Sequence, residues 1–190
     1  MLIEYAFATL NAEMMGGKNL LSLTLSAVFS MLLTFVLAAC GGSKDKGQVI
    51  TFEGSDLDGT KVSSKELFGS HDVTMVNLWT STCQGCEDEL GELSDLNERV
   101  SAAGGCVIGL IMDTDMDDAV EECRCKLEAK GATYTNIPAT EQMRKDLESN
   151  IYPFTYFVDS EGKVLDTITG NQGLAKYEEK FKALLDKDFQ

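Results

Sequence analysis

The chain has 190 residues, of which 44% are apolar, 25% are charged and only two are proline, so its composition fits one globular domain with an additional segment. Acidic residues outnumber basic ones by 31 to 16, and the formal net charge is −15. A surface of that sign repels nucleic acid and anionic lipid headgroups, so neither is an expected ligand. Any attachment to a membrane has to come from an apolar or acylated segment.

The additional segment lies at the N-terminus. Residues 19–37 carry no charge and are rich in leucine, and Lys18 precedes them, which is the pattern of a secretory signal peptide. The segment ends in Leu-Ala-Ala-Cys at residues 37–40, and small residues before a cysteine at this place resemble a bacterial lipobox. That resemblance implies that Cys40 is lipidated. An uncleaved membrane anchor is the alternative interpretation, because the apolar run approaches the length of a bilayer span.

This pattern divides the chain into three segments. Residues 1–39 are the predicted signal peptide, with Met14 or Met15 as the true start if the first residues lie outside the working signal. Residues 40–47 are the lipidated cysteine and a small, polar stretch that predicts a flexible tether. Residues 48–190 are one folded domain, which we expect outside the cytoplasm and anchored by lipid to the bacterial cell membrane.

The domain's predicted elements alternate between strand and helix and end in a hairpin and a helix. They are a hairpin of two short strands over 49–52 and 61–62, a buried strand over 73–78, a helix from Cys86 to the glycines at 104–105, a strand over 106–112, a helix over 116–130, a short helix over 141–148, strands over 154–158 and 163–168, and a helix over 174–185. This order predicts the α/β class, with a mixed central β-sheet flanked by helices.

Two cysteines, Cys83 and Cys86, lie where the first buried strand runs into its helix. A cysteine in the first turn of a helix faces unpaired backbone N–H groups and the positive end of the macrodipole, and both favour the thiolate. Cys86 lies one turn further on, close enough for a disulfide, so the pair can cycle by thiol–disulfide exchange. A purely structural disulfide is the less favoured interpretation, because so short a loop restricts the unfolded chain little.

The residues around this pair match one protein family. The first strand leads into WTSTCQGC at residues 79–86 and an acidic helix, and IYPFTYFVD follows at residues 151–159. This arrangement resembles the thioredoxin fold and, more narrowly, the TlpA/ResA group of membrane-tethered thioredoxin-like proteins. The resemblance extends over residues 48–185, and it includes the N-terminal β-hairpin and the extra helix after the second core strand that mark this group.

The resemblance implies roles for four residues. Cys83 is the attacking thiol and Cys86 the resolving thiol, while Pro153 is the cis-proline whose backbone faces the disulfide and pairs with an incoming chain. Glu89 matches a glutamate that tunes thiol ionisation in the TlpA/ResA group. Residue spacing independently places Glu89 on the buried face of its helix, together with Leu93. No organic cofactor and no metal is implied.

Three residues depart from the family's usual pattern. Thr82 replaces a tryptophan, Gly85 replaces a proline, and Tyr152 replaces a threonine or another small residue. Asn77 stands where cytoplasmic thioredoxins carry a buried aspartate, as it does in the tethered group. These departures leave the redox potential and the client open, but not the fold.

The function implied by the resemblance is that of an extracytoplasmic thiol:disulfide oxidoreductase. We expect a monomer that reduces client proteins with disulfides and takes electrons from a membrane thiol carrier. The acidic side chains of Glu87, Asp88 and Glu89 disfavour a nearby thiolate, which favours a reducing couple.

Two other functions are compatible with the same residues. The first is a thiol peroxidase, because Thr80 and Cys83 reproduce the TxxC motif of peroxiredoxins, although Val76 stands at the position of their proline. The second is a redox-inert or copper-handling lipoprotein that uses the cysteine pair as soft ligands. The lack of a histidine or a methionine-rich loop near the pair argues against copper.

The remaining cysteines of the domain are placed by residue spacing. Helical spacing places Cys123 on a buried face and Cys125 near the surface, and Cys106 begins a core strand. A bridge from Cys106 to either of the other two stays open at this point. A four-thiolate zinc site would need opposite faces of a helix to converge, so it is not predicted. The single histidine, His71, precedes a strand and is expected at the surface.

Overall fold

The structure is a computed structural model that describes residues 45–116, 118–187 and 189. The predicted signal peptide, Cys40 and the first part of the tether lie outside the described residues. Residues 45–47 form a turn, and the Gly47 amide donates to the Val164 carbonyl at 2.9 Å, so ordered structure begins before residue 48. Within the described residues, no helix has the length and hydropathy that a bilayer span requires.

A five-stranded mixed sheet forms the centre of the domain. The elements in chain order are β1 (Glu53–Ser55), β2 (Lys61–Ser63), α1 (Ser64–Gly69), β3 (Val73–Trp79), α2 (Gln84–Ser101), β4 (Gly105–Ile111), α3 (Ala119–Ala129), β5 (Thr135–Pro138), α4 (Glu141–Asp146), β6 (Phe154–Asp159), β7 (Val164–Thr169) and α5 (Leu174–Leu185). The strand order is β5-β4-β3-β6-β7, in which β3, β4 and β5 are parallel and β6 is antiparallel to both β3 and β7. The predicted α/β fold is confirmed, including the hairpin β1–β2 and the extra helix α3.

Both faces of the sheet are covered, because successive side chains of a strand point to opposite sides. Along β3, Met75 and Trp79 pack on one side with α2, α3 and α5, and Val76 and Leu78 pack on the other side with α1 and α4. We call the first side the disulfide face and the second the opposite face. All seven residues of β3 are buried, as expected for the central strand of a covered sheet.

The N-terminal hairpin differs in register from its prediction. Its first strand begins at Glu53, whereas Val49 forms only an isolated bridge to Lys163. Ile50 and Phe52 are buried in the cluster of the opposite face, with 2% and 6% exposure. The apolar residues 49–52, which were predicted to form the first strand of the hairpin, therefore lie outside it. Ile50 and Phe52 pack instead against the opposite face of the sheet.

Two short elements, α1 and β5, were not predicted, and α3 is shorter than predicted. The N-cap of α1 is Ser63, whose Oγ accepts from the Glu66 amide at 3.2 Å, so the S-x-x-E signal for this helix is present in the sequence. The predicted helix over 116–130 begins at Ala119 because Asp118, its N-cap, has a left-handed backbone with φ of 63°. Its C-terminus is as predicted, since Gly131 has φ of 64°.

Candidate active site

The cysteine pair lies at the junction of β3 and α2. Cys83 is the N-cap of α2, and its Sγ accepts from the Cys86 amide at 3.1 Å, where a serine or aspartate oxygen usually does so. The Cys83 carbonyl also accepts from the Glu87 amide at 3.1 Å. The sulfur of Cys83 therefore faces the N–H groups of an 18-residue helix, which stabilise a thiolate once the pair is reduced.

Cys83 and Cys86 form a disulfide, with their Cα atoms 5.2 Å apart. The two residues differ in access to solvent: Cys86 is 0% exposed and packs in the cluster of the disulfide face, whereas Cys83 is half-buried at its edge. An incoming group can therefore reach the sulfur of Cys83 but not that of Cys86.

A buried carboxylate holds the turn that leads into the pair. Asp113, 8% exposed, follows β4, and its Oδ2 accepts from the amide of Ser81 at 2.8 Å and from its hydroxyl at 2.6 Å. The Cys83 amide in turn donates to the Thr80 carbonyl at 3.2 Å. These bonds fix the backbone that positions Cys83 at the start of the helix.

Pro153 lies at the same end of the sheet as the disulfide, because the next residue, Phe154, pairs with Leu78 near the end of β3. The Tyr152–Pro153 bond is cis, and Pro153 is buried. The loop between β7 and α5 joins this proline to the cysteine turn. The Gly170 amide donates to the Pro153 carbonyl at 2.8 Å, and Asn171 Nδ2 donates to the Gly85 carbonyl at 3.0 Å.

Glu89 lies one turn after Cys86 and is 1% exposed, as its spacing predicted. Its Oε1 accepts from Asn77 Nδ2 at 2.9 Å, and its Oε2 accepts from the Tyr177 hydroxyl at 3.0 Å. Burial raises the pKa of Glu89 to about 7, although both hydrogen bonds favour the carboxylate and act in the other direction. The site therefore contains a group that can accept or release a proton near neutral pH.

The acidic residues around the pair have different environments. Glu87 forms ion pairs with Lys126 at 2.9 Å and with Lys130 at 3.7 Å, and the hydrogen bond from Lys126 lowers its pKa. Asp88 is exposed and accepts from Gln84 at 3.0 Å. Lys126 of α3 and Lys130 at its C-terminus thus partly offset the charge of Glu87, and the expectation that the three acids disfavour a thiolate stays a prediction.

In the part of the chain that the structure describes, the three cysteines outside the pair, Cys106, Cys123 and Cys125, are free. Cys123 is buried and Cys125 is exposed, as their spacing predicted, and Cys106 is half-buried. Burial raises the pKa of Cys106 to about 11 and that of Cys123 to about 12, so both thiols are protonated and unreactive at neutral pH. Among the described residues, no three His, Cys, Asp or Glu side chains are grouped as metal ligands.

Three residues of this site were missed in the sequence. Asp113 could have been found, because it follows a strand parallel to β3 and the ends of such strands meet at one edge of a sheet. Tyr177 gave a weaker signal, as a phenol on the buried face of the last helix. Asn171 gave none, since its contact with Gly85 depends on a loop 86 residues further along the chain.

Comparison with known proteins agrees with this geometry. Residues 46–187 match the AhpC/TSA family. The thiol-disulfide oxidoreductase ResA of Bacillus thuringiensis subsp. konkukian is 26% identical over 130 residues, which cover 68% of this chain and 72% of that protein.

Solved structures show the same fold. A thiol:disulfide interchange protein of the thioredoxin family from Chlorobium tepidum superposes with a TM-score of 0.62 at 19% identity, over 76% of this chain and 99% of that one. The peroxidoxin BcpB of Mycobacterium tuberculosis gives 0.60 at 18% identity, over 76% and 97% of the two chains. The chain belongs to the AhpC/TSA family, as a ResA-like oxidoreductase with the thioredoxin fold.

Proposed function

We propose that this chain is a membrane-tethered, extracytoplasmic thiol:disulfide oxidoreductase that reduces disulfides of secreted or envelope proteins. The observation that carries the proposal is the asymmetry of the cysteine pair. Cys83 is accessible at a helix N-terminus, and Cys86 is fully buried behind it, bonded to it in the oxidised state. One sulfur can attack a client, and the other can reach only its partner.

The reaction consists of two exchanges that start from the reduced pair. The Cys83 thiolate attacks one sulfur of the client disulfide, the client S–S bond breaks, and the other client sulfur leaves as a thiolate. Cys86 loses its proton and attacks Cys83 in the mixed disulfide. The Cys83–Cys86 bond then forms, and the second client sulfur leaves as a thiolate, so two electrons have passed to the client.

Glu89 is the proposed proton acceptor for Cys86. It lies on the same helix face one turn away, and its carboxyl has a pKa of about 7 because it is buried. A carboxylate with such a pKa can take the thiol proton near neutral pH, which the ordinary, lower pKa of a glutamate would not favour. Pro153 is proposed to present the backbone that pairs with the client.

The partners and location are proposed from the sequence. The lipid on Cys40 anchors the protein to the bacterial membrane, a membrane thiol carrier returns the pair to the dithiol, and the protein acts as a monomer. Labelling of the full chain with fatty acid tests the anchor: Cys40→Ala should abolish the label and leave unprocessed precursor. Labelling that persists would remove the lipoprotein assignment.

A trapping experiment tests the roles of the two cysteines. Cys86→Ser should accumulate a covalent adduct between Cys83 and a client on non-reducing gels, because the second exchange cannot occur. Cys83→Ser should trap almost nothing, and Cys125→Ser is the matched control, since Cys125 is exposed but free. Adduct with Cys83→Ser alone would reverse the assignment of roles, and adduct with neither variant would contradict the proposed exchange.

A thiol peroxidase is the second candidate, favoured by the AhpC/TSA match, the structural likeness to a peroxidoxin and the TxxC motif at residues 80–83. Here the Cys83 thiolate attacks one peroxide oxygen and the O–O bond breaks, so that Cys83 becomes a sulfenic acid and water or an alcohol leaves. Cys86 then attacks the sulfur of Cys83 and closes the disulfide with loss of water. Peroxide consumption and insulin reduction, each supported by dithiothreitol, separate the candidates. Peroxide consumption that far exceeds insulin reduction would favour the peroxidase.

A further inference from the structure

We propose that Tyr177 is a positioning residue of the thiol chemistry: its phenol holds the Glu89 carboxyl next to Cys86 and thereby sets the pH range in which Cys86 reacts. This inference rests on the proposed function and adds to it the residue that controls its proton step. Tyr177 belongs to α5, more than 80 residues along the chain from the cysteine pair, and is 1% exposed.

The two hydrogen bonds to Glu89 are not equivalent. Asn77 reaches Oε1 through its amide nitrogen, which also donates to Thr155 Oγ1 at 3.3 Å and can only donate. The Tyr177 hydroxyl on Oε2 can donate to a carboxylate and can also accept from a protonated carboxyl after rotation of its O–H bond. Tyr177 can therefore hydrogen-bond to Glu89 in both protonation states of the carboxyl. In the protonated state, the carboxyl proton is on Oε2 and the phenol oxygen accepts the hydrogen bond from it.

The groups that face Glu89 explain why this hydrogen bond matters. Asn77 comes from the sheet, Tyr177 from α5, and Tyr134 from the chain before β5, while Glu92 acts from its own helix. Tyr134 is 5% exposed, and the negative charge of Glu89 contributes to raising its pKa. None of these four groups is a cation, so hydrogen bonds are what offset the cost of burying the Glu89 charge.

The hydrogen bond from Tyr177 lowers the pKa of Glu89 more than that from Asn77 does. In the resolving step the Cys86 thiol gives its proton to the Glu89 carboxylate, and the Cys86 sulfur keeps the electron pair with which it attacks Cys83. Removal of the phenol hydroxyl makes the carboxylate less stable. The fraction of Glu89 able to accept the proton at a given pH then falls, and the pH profile of exchange moves upward.

Tyr177→Phe tests the inference because it removes the hydroxyl and keeps the ring that packs in the disulfide face. The matched control is Tyr156→Phe, which makes the same change to a tyrosine of 5% exposure in the cluster of the opposite face. Two readouts are taken on the full chain in detergent. The first is the titration of the Glu89 carboxyl by ¹³C NMR in the oxidised protein, and the second is the pH profile of exchange between the reduced protein and a small aromatic disulfide.

Both midpoints should rise by about one pH unit in Tyr177→Phe and stay unchanged in Tyr156→Phe. Addition of Tyr177→Phe to Glu89→Gln should cause no further shift, since the tyrosine acts only through the carboxyl. Unchanged midpoints in Tyr177→Phe, equal shifts in both phenylalanine variants, or a Glu89 shift without a shift in exchange would overturn the inference. Failure of the proposed function is seen separately, as a wild-type chain that does not reduce insulin.

Discussion

On the disulfide face, β3 presents the polar side chain of Asn77 between Met75 and Trp79, whereas on the opposite face it presents Val76 and Leu78. The disulfide face also buries a carboxyl that has no cationic partner in its hydrogen bonds. The opposite face is completed by aromatic and aliphatic groups, such as the edge-on pair of Phe52 and Phe68 with ring centres 5.7 Å apart. Both faces belong to the same strand and are equally shielded from water.

The two faces of the sheet contribute differently to stability and to the reaction. A buried carboxyl without a cation costs free energy whenever it is charged, so the disulfide face is less stable at high pH than an apolar face of the same size. The clustered side chains of the opposite face are hydrophobic, and their burial supplies stability without a comparable dependence on pH. Substitutions on the two faces should therefore separate loss of stability from loss of function.

The largest expected effect is on the opposite face. Phe68→Ala removes a ring of 1% exposure that packs on Phe52, and it should lower the free energy of unfolding by about 3–5 kcal/mol. Urea unfolding of the oxidised protein measures this loss. The pH profile of disulfide exchange should keep its midpoint, because no group near Glu89 has changed. A shifted midpoint would show that the two faces are coupled. It would contradict the assignment of stability to one face and of the thiol chemistry to the other.

The next effect lies on the disulfide face and depends on pH. Burial raises the pKa of Glu89 from 4.5 to about 7, so the folded state binds the proton more tightly than the unfolded state. Its contribution to stability is present in full below pH 4.5 and is lost as the pH rises through 7, a loss of about 3 kcal/mol. Glu89→Gln should remove this part of the pH dependence. Urea unfolding of the oxidised protein at pH 4 and pH 8 measures the difference.

Glu92→Gln is the control for that experiment, since Glu92 is exposed on the same helix one turn on. The control should keep the wild-type fall in stability between the two pH values. If Glu89→Gln keeps it as well, the carboxyl does not titrate as its burial implies, and the two faces respond to pH alike.

The fold and the core of the site were predictable from local patterns. The apolar run of β3 leads directly into the cysteines, and helical spacing alone separates the buried Glu89 from the exposed Glu92. The last helix was predicted with its observed bounds, Leu174–Leu185, because its apolar residues recur at a regular helical spacing. Each of these signals lies within one element.

The rest of the site depends on contacts between elements that are far apart in the chain. Tyr177 reaches Glu89 over 88 positions, and Ser81 reaches Asp113 over 32. Such contacts follow from the sheet order and from helix packing, which no local period encodes. The start of α3 was misplaced for a related reason, since the left-handed backbone of Asp118 is unusual for a residue other than glycine.

A smaller effect is expected where the cysteine turn is fixed to β4. Ser81→Ala removes a hydroxyl that donates to the buried Asp113 carboxyl, whose Oδ1 has no hydrogen-bond partner among the described residues. The free energy of unfolding should fall by about 2 kcal/mol, because a hydrogen bond to a charged group is lost in the interior. Thr82→Ala is the control, because Thr82 is the next residue and is exposed, and it should leave the free energy of unfolding unchanged. Equal losses in the two variants would mean that Asp113 does not anchor the turn.

The smallest effect is expected at the exposed edge of the disulfide face. There the side-chain amide of Asn171 contacts the turn between the two cysteines. Asn171→Ala removes the donor to the Gly85 carbonyl, together with the Oδ1 acceptor of the Gly173 amide within its own loop, and should lower the stability of the oxidised protein by about 0.5–1 kcal/mol for each bond lost. Gln172→Ala is its match, since Gln172 is also exposed and donates to a backbone carbonyl, that of Thr169, at 3.1 Å.

Only the first of these two variants should change the redox equilibrium. If the amide of Asn171 holds the turn in the shape that the disulfide needs, its loss favours the dithiol by a factor of about two to five, which follows from the energy of one exposed hydrogen bond. Equilibration of each variant with glutathione buffers measures that factor. The same shift in Gln172→Ala would assign the effect to general loosening of the loop between β7 and α5, whereas a shift in Asn171→Ala alone places control of the couple in the hydrogen bonds of the Asn171 side chain, of which only the one to Gly85 reaches the cysteine turn.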